Sequence, residues 1–135
     1  MTSFVVDVSV VAAWLLPDEA TPPTEELLER LPHARALAPD LLAHEIRSLL
    51  LTARRRKRIT DSHIPWALHR LWQLAVDNCG AGDALYVVSL AERHSLSAYD
   101  AAYLALALTE GAPLATLDAR LRTAARAERV AVLPE

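Results

Sequence analysis

The sequence predicts an α/β fold: a mostly parallel sheet of four or five strands in a three-layer α/β/α arrangement. Three observations predict it. Short β-branched runs alternate with longer helical patterns, the helical stretches carry cap and stop signals, and no linker or repeat interrupts the alternation. Strands separated by helices pair in parallel through right-handed crossovers, and this places helices on both faces of the sheet. A length of 135 residues suits a single domain, 1–135, with a core of its own.

Residues 4–6 form the first expected strand, and 10–16 a helix that Pro17 stops. Pro22 and Pro23 open a second helix through 25–30, since proline is tolerated in a first turn, and 36–38 read as the second strand. Asp40 is a candidate cap for a helix over 41–53, where Leu42, Ile46, Leu49 and Ala53 share one face. The next helix is expected from 60–62 to about 76, with Ile64, Leu68, Leu71 and Ala75 on its buried stripe and Trp66 roughly opposite, hence exposed. Asn78-Cys79-Gly80-Ala81-Gly82 breaks it.

Asp83 caps a helix to about 94, and Ser97 caps one over 98–109 that is apolar almost all round and so belongs at the centre. Gly111 and Pro113 end that helix, 114–116 is the third strand, Asp118 caps a last helix to about 127, and 130–133 is the fourth strand.

A hydrophobic fraction of 53% argues against disorder, and only 3 glycines leave no room for a glycine-rich phosphate loop. The single cysteine excludes an internal disulfide framework and a cysteine-based zinc site, and with no leader-like or membrane-spanning pattern the expected location is cytoplasmic. The net charge of −3 gives no reason by itself to expect a polyanion partner. Its distribution is more informative, because Arg54, Arg55, Arg56, Lys57 and Arg58 form one dense basic run. That run is a candidate contact for RNA phosphates, and equally a solvated helix end complementing the C-terminal dipole.

The acids raise the sharper question. Asp7 stands inside the apolar run F-V-V-D-V-S-V-V at the end of the first strand, and Asp118 just after the strand over 114–116. In open parallel sheets ligands bind beyond the carboxyl ends of the strands, so both acids face one crevice. Glu45 flanks the buried stripe of its helix, and Asp100 opens the most apolar helix of the chain. Each has a plain structural reading: Asp7 and Asp118 as N-caps, Asp100 in a capping box with Ser97, Glu45 paired to an arginine. Were the four to converge, their repulsion would call for a cation, and hard oxygen donors suit Mg²⁺ or Mn²⁺. The five histidines form no metal-spaced pair.

The set, in its order, carries a family resemblance: V-V-D-V-S, then P-D-L-L-A-H-E-I, then L-S-A-Y-D-A-A-Y-L-A-L-A, then L-A-T-L-D-A-R-L. The chain resembles PIN-domain ribonucleases over nearly its whole length, and most of all the VapC-type toxins of bacterial toxin-antitoxin pairs. The resemblance implies a PIN-like fold and a Mg²⁺- or Mn²⁺-dependent endoribonuclease, a hydrolase of RNA phosphodiester bonds. It further implies an acidic metal site of Asp7, Glu45, Asp100 and Asp118, supported by hydrogen bonds from Ser9 and Thr116. An RNA substrate, a cognate antitoxin protein and a homodimer are implied as partners. Where similar toxins often carry asparagine three residues after the helix glutamate, this chain has Ser48. A haloacid-dehalogenase phosphatase fits poorly because Ser9 stands where its second aspartate belongs, and a receiver-like domain because Lys57 is the lone lysine. A non-catalytic PIN-fold interaction domain that uses its acids as caps is the alternative class.

Overall fold

The computed structural model describes residues 2–135. Strand β1 (Thr2–Val6) leads into α1 (Val8–Leu15), a 3₁₀ turn (Pro17–Glu19), α2 (Pro22–Glu29) and β2 (Ala34–Ala38). Then come α3 (Leu42–Arg55), α4 (His63–Leu74), β3 (Asp77–Asn78), α5 (Ala84–His94), α6 (Ala98–Glu110), β4 (Leu114–Ala115), α7 (Ala119–Ala127) and β5 (Val132–Leu133). The five strands lie in the order β3-β2-β1-β4-β5, all parallel, so the chain reverses its direction of travel across the sheet between β1 and β4. The result is the three-layer α/β/α architecture expected from the alternation of elements.

That reversal is where the fold builds a crevice. Val5 pairs with Leu114 and Val6 with Ala115, and the Asp7 N–H donates to the Ala115 carbonyl at 3.1 Å. Continuing the register by one residue sets Asp7 beside Thr116. Helices α1, α3 and α7 each follow a strand and so start at the carboxyl edge of the sheet, while α6 runs back beneath it and starts there too. Helix N-termini carry unpaired N–H groups and a positive dipole end, which favour carboxylates.

The core lies on both sides of the sheet. Val5 and Val6 are fully buried in β1, Val10, Val11 and Leu15 face inward from α1, and Trp14 donates from Nε1 to the Thr24 carbonyl at 2.8 Å, tying α1 to α2. Helix α6 is the central helix the sequence predicts: residues 101–105 and Ala107 are buried, Leu104 completely.

Several local expectations shift. Asp40 does not cap α3; the N-cap is Leu41 with no side-chain bond, and Leu50 rather than Leu49 completes the buried stripe with Leu42, Ile46 and Ala53. In α4 the inward stripe is Ile64, Ala67, Leu71 and Leu74, since Leu68 is exposed and Ala75 ends the helix in a left-handed conformation (φ 53°). Leu68 and Trp72 instead wall an apolar groove of about 690 Å³ beside α3, to which Leu71 also contributes. Trp66 is half exposed, as expected. The break after α4 begins with β3, a strand made by pairing with β2 (Leu37 with Asp77, Ala38 with Asn78).

Leu104→Ala removes a side chain with no exposed surface and leaves a cavity against the sheet. We expect it to lower the unfolding free energy by about 2–5 kcal/mol, read as a lower urea midpoint at unchanged slope.

Candidate active site

Asp7 ends β1 and caps α1. Its carboxylate is 3% exposed, yet both oxygens are occupied: Oδ1 accepts from Ser9 N at 3.0 Å, Ser9 Oγ at 2.5 Å and Val10 N at 3.3 Å, and Oδ2 accepts from Thr116 Oγ1. Burial pushes this carboxyl above the ordinary aspartate range, and the Ser9 and Thr116 hydroxyls pull it part of the way back. Ser9 Oγ also accepts from Leu117 N at 2.9 Å, and Thr116 Oγ1 from Asp118 N at 3.1 Å. Ser9 and Thr116 therefore stitch the β1 and β4 ends together through Asp7.

Asp118 is the N-cap of α7, its Oδ2 accepting from Leu121 N at 2.9 Å. Asp100 sits in the first turn of α6, where its N–H donates to Ser97 Oγ at 3.1 Å; the reciprocal backbone bond of a capping box is not formed. Burial, with the Asp118 charge second, pushes Asp100 above its ordinary range. Glu45, in the first turn of α3, accepts from the Tyr103 hydroxyl at 2.5 Å. Burial raises its carboxyl, the Tyr103 bond opposes the rise, and the Asp100 and Asp7 charges add to it. Burial and the same bond push the Tyr103 phenol far above its ordinary value, so it stays a donor.

The four acids thus come from four helix starts, with Glu45 near enough to feel the Asp100 and Asp7 charges and Asp100 near enough to feel that of Asp118. Among the described residues, none of the four forms a salt bridge. Capping accounts for Asp7 and Asp118 but not for the carboxylates of Glu45 and Asp100. An all-oxygen, all-anionic donor set with no cationic side chain suits a hard divalent ion. As arranged, no three His, Cys, Asp or Glu side chains among the described residues are placed to hold one ion.

The basic run lies at the other end of α3, with Arg54 about 14 Å from Glu45 along the helix axis. Lys57 ends the helix in a left-handed conformation (φ 60°). Arg58 grips Asp18 at 2.9 and 3.0 Å and approaches Glu19, and Arg54 lies 3.8 Å from Asp61. Arg55, Arg56 and Lys57 remain exposed. Ser48 is exposed one turn past Glu45 and makes no side-chain hydrogen bond among the described residues. Two contributors escaped sequence reasoning. Tyr103 stands one turn after Asp100 on the same face of α6, a spacing that signals shared surroundings. Arg122 donates to the Thr116 carbonyl at 2.9 Å and the Pro134 carbonyl at 2.7 Å, and no spacing in the sequence announces it.

Comparison with known proteins decides the family. The PIN domain family matches residues 4–127. The chain is a PIN domain. It is 32% identical over 120 residues to Ribonuclease VapC3 of Pyrobaculum aerophilum, covering 87% of this chain and 90% of that protein, which places this PIN domain in the VapC type. Among solved structures, PAE2754 from Pyrobaculum aerophilum superposes with a TM-score of 0.74 at 20% identity, covering 97% of this chain and 83% of that one. FitAcB from Neisseria gonorrhoeae superposes with a TM-score of 0.62 at 17% identity, covering 96% and 95%. At these identities the two structures share the PIN fold.

Two outcomes test the site. Each raised carboxyl is more easily protonated in the folded PIN domain than in the unfolded chain, so ionising it opposes folding: the stability it supports is present below the ordinary carboxylate range and lost as pH rises through the raised value. In EDTA, Glu45→Gln should therefore be stabilised relative to wild type by an increment in melting temperature that grows as pH rises above the ordinary glutamate range. Thr116→Val keeps the shape and leaves Asp7 Oδ2 and the Asp118 N–H without their partner. We expect it to cost about 1–3 kcal/mol in urea unfolding.

Proposed function

We propose that this PIN domain is a metal-dependent endoribonuclease, the toxin of a toxin-antitoxin pair, with Asp7, Glu45, Asp100 and Asp118 as its catalytic ligands for Mg²⁺ or Mn²⁺. One observation carries the reading. Carboxylates from four separate helix starts lie around the point where the sheet reverses, Glu45 feeling the charges of Asp100 and Asp7 and Asp100 that of Asp118, and among the described residues none of the four forms a salt bridge. Likeness to a ribonuclease over most of both chains supports RNA as the substrate class.

When bound, the ion supplies Lewis-acid activation of water and stabilisation of charge on the phosphodiester oxygens. The chain's own residues supply the rest. Ser9 and Thr116 hold both oxygens of Asp7 in one orientation, Ser97 fixes the start of α6 and with it Asp100, and the α7 cap fixes Asp118. No side chain is needed as a nucleophile. Arg55, Arg56 and Lys57 are proposed to contact RNA phosphates, together with whatever parts of Arg54 and Arg58 their ion pairs leave free.

Protein partners belong to the same reading: a cognate antitoxin, and a second copy of the chain in a homodimer. Exposed apolar side chains support such partners, with Trp72 at 76% and Leu85 at 77% exposure on separate helices. Among the described residues no helix is long and apolar enough to cross a membrane, and a cytoplasmic location is proposed with the toxin role.

The test is cleavage of total cellular RNA by purified protein in Mg²⁺, Mn²⁺ or EDTA, alongside Asp7→Asn. We expect cleavage only with a divalent ion, and a loss of at least about 100-fold in the variant, the upper end of what outer-shell changes cause. Cleavage in EDTA, or undiminished cleavage by Asp7→Asn, overturns the proposal.

A further inference from the structure

Helix α4 carries a pattern that the acidic site does not use. His63, Trp66, His69 and Trp72 recur at steps of three, so their rings form a row slanting across the helix. The rings are paired: His63 and Trp66 have centroids 4.9 Å apart with planes tilted by 32°, and His69 and Trp72 stack at 5.9 Å and 26°. His63 is anchored, donating from Nε2 to the Leu15 carbonyl at 2.7 Å, while Trp66 is 51% and Trp72 76% exposed. Each exposed indole is therefore braced by an imidazole and keeps surface open to a ligand. The row also joins two parts of the molecule. Where α4 begins, Asp61 lies 3.8 Å from Arg54, which puts the helix start beside the basic run. Where it ends, Leu71 and Trp72 line the same groove as Leu42 and Ala43 in the first turn of α3, the turn that carries Glu45. So α4 runs back along α3, and its rings lead from the exposed Arg55, Arg56 and Lys57 toward the end of the sheet where the acids lie.

We propose that α4 is a base-stacking track for single-stranded RNA, with Trp66 and Trp72 as its platforms and Arg55, Arg56 and Lys57 holding the adjoining phosphates; this rests on RNA being the substrate, as read above. Exposure alone suits a protein partner at Trp72 as it does at Leu85, and the neighbours separate the two. Leu85 has the exposed Tyr86 and Val88 beside it, whereas the α4 indoles alternate with imidazoles and adjoin a run of five cations. Flat rings next to unpaired cations are what an unpaired strand needs, because charge holds its phosphates and every base offers a π-face to stack. Since His63 ties the Trp66 pair to α1, that ring loses little freedom on binding. A duplex, whose bases already stack on one another, gains nothing from such rings. The track thus selects unpaired segments and lays them toward the acids.

The experiment is anisotropy titration of a short, unstructured, fluorescein-labelled RNA with the full chain in EDTA at several salt concentrations. Trp66→Ala and Trp72→Ala are each expected to weaken binding about 5- to 150-fold, the range for losing one stacked base, with the salt dependence unchanged. Trp72→Phe keeps a flat ring and should recover most of the affinity. Joint replacement by Arg55→Gln, Arg56→Gln and Lys57→Gln should instead flatten the salt slope on logarithmic axes by about 2. Wild-type affinity in both alanine variants overturns the inference. So does a change of molecular mass by light scattering in either variant, which would make this face a protein interface. Wild-type protein that cleaves RNA with a divalent ion, indifferent to both rings, sinks the track alone; wild-type protein that binds no RNA removes the substrate class and the track with it. Should the variants fail to fold, acrylamide quenching of the wild type decides. Trp14 is buried, so the quenchable signal belongs to Trp66 and Trp72. Bound RNA is expected to shield them, and indoles left unshielded at saturation overturn the inference.

Discussion

A carboxylate buried at the seam between β1 and β4 is the constraint around which this molecule is arranged. Asp7 is almost closed off from water, and an ionised group so placed costs several kcal/mol unless donors surround it. The sheet order supplies them. Because the chain leaves β1 toward β2 and later returns on the other side as β4, the segment carrying Thr116 arrives beside Asp7, and the start of α1 brings Ser9. The same hydroxyls that satisfy Asp7 hold the backbone of the β4–α7 turn, so charge solvation and loop geometry are one set of bonds. Arg122 closes the arrangement from below by gripping carbonyls of that turn and of the segment after β5.

Around this seam the protein concentrates negative charge instead of neutralising it. Arg122 binds carbonyls there and not the acids, and the arginines that do pair with acids lie elsewhere: Arg35 with Asp77, Arg58 with Asp18, Arg93 with Glu128, all on the surface. Exposed pairs of that sort contribute little to stability. Four helix starts soften the repulsion among the acids, since their free N–H groups and dipoles favour anions, but burial outweighs them at Asp7, Glu45 and Asp100. The fold therefore tolerates a site that works against its own stability, as sites kept for chemistry or binding commonly do.

What could be read from the sequence, and what could not, follows the range of the interactions. Caps at Asp7, Asp83, Ser97 and Asp118 are local events between residues two or three apart, and all four are present. The position of Glu45 beside its helix's buried stripe was legible because helical periodicity shows an acid turned partly inward. Strand β3 was hidden because two polar residues make a strand only when β2 is already there to pair with. The stripe of α4 rotated away from Leu68 because a neighbouring groove, and not the core, takes up that side chain along with Trp72. The bond from Tyr103 to Glu45 spans 58 residues, and only the finished fold brings the two together.

Helix α6 is enclosed through small side chains set around it, with Ala101, Ala102, Ala105 and Ala107 all buried. Methyl groups leave little slack between the helix and its neighbours, and a single added methylene would act as a shim under one turn. Because Asp100 projects from the first turn of that rod, tilting the rod moves the acid relative to Asp7 and Asp118, which follow the strands. The spacing of the acidic cluster is thus gauged by the alanines around which the rod is packed.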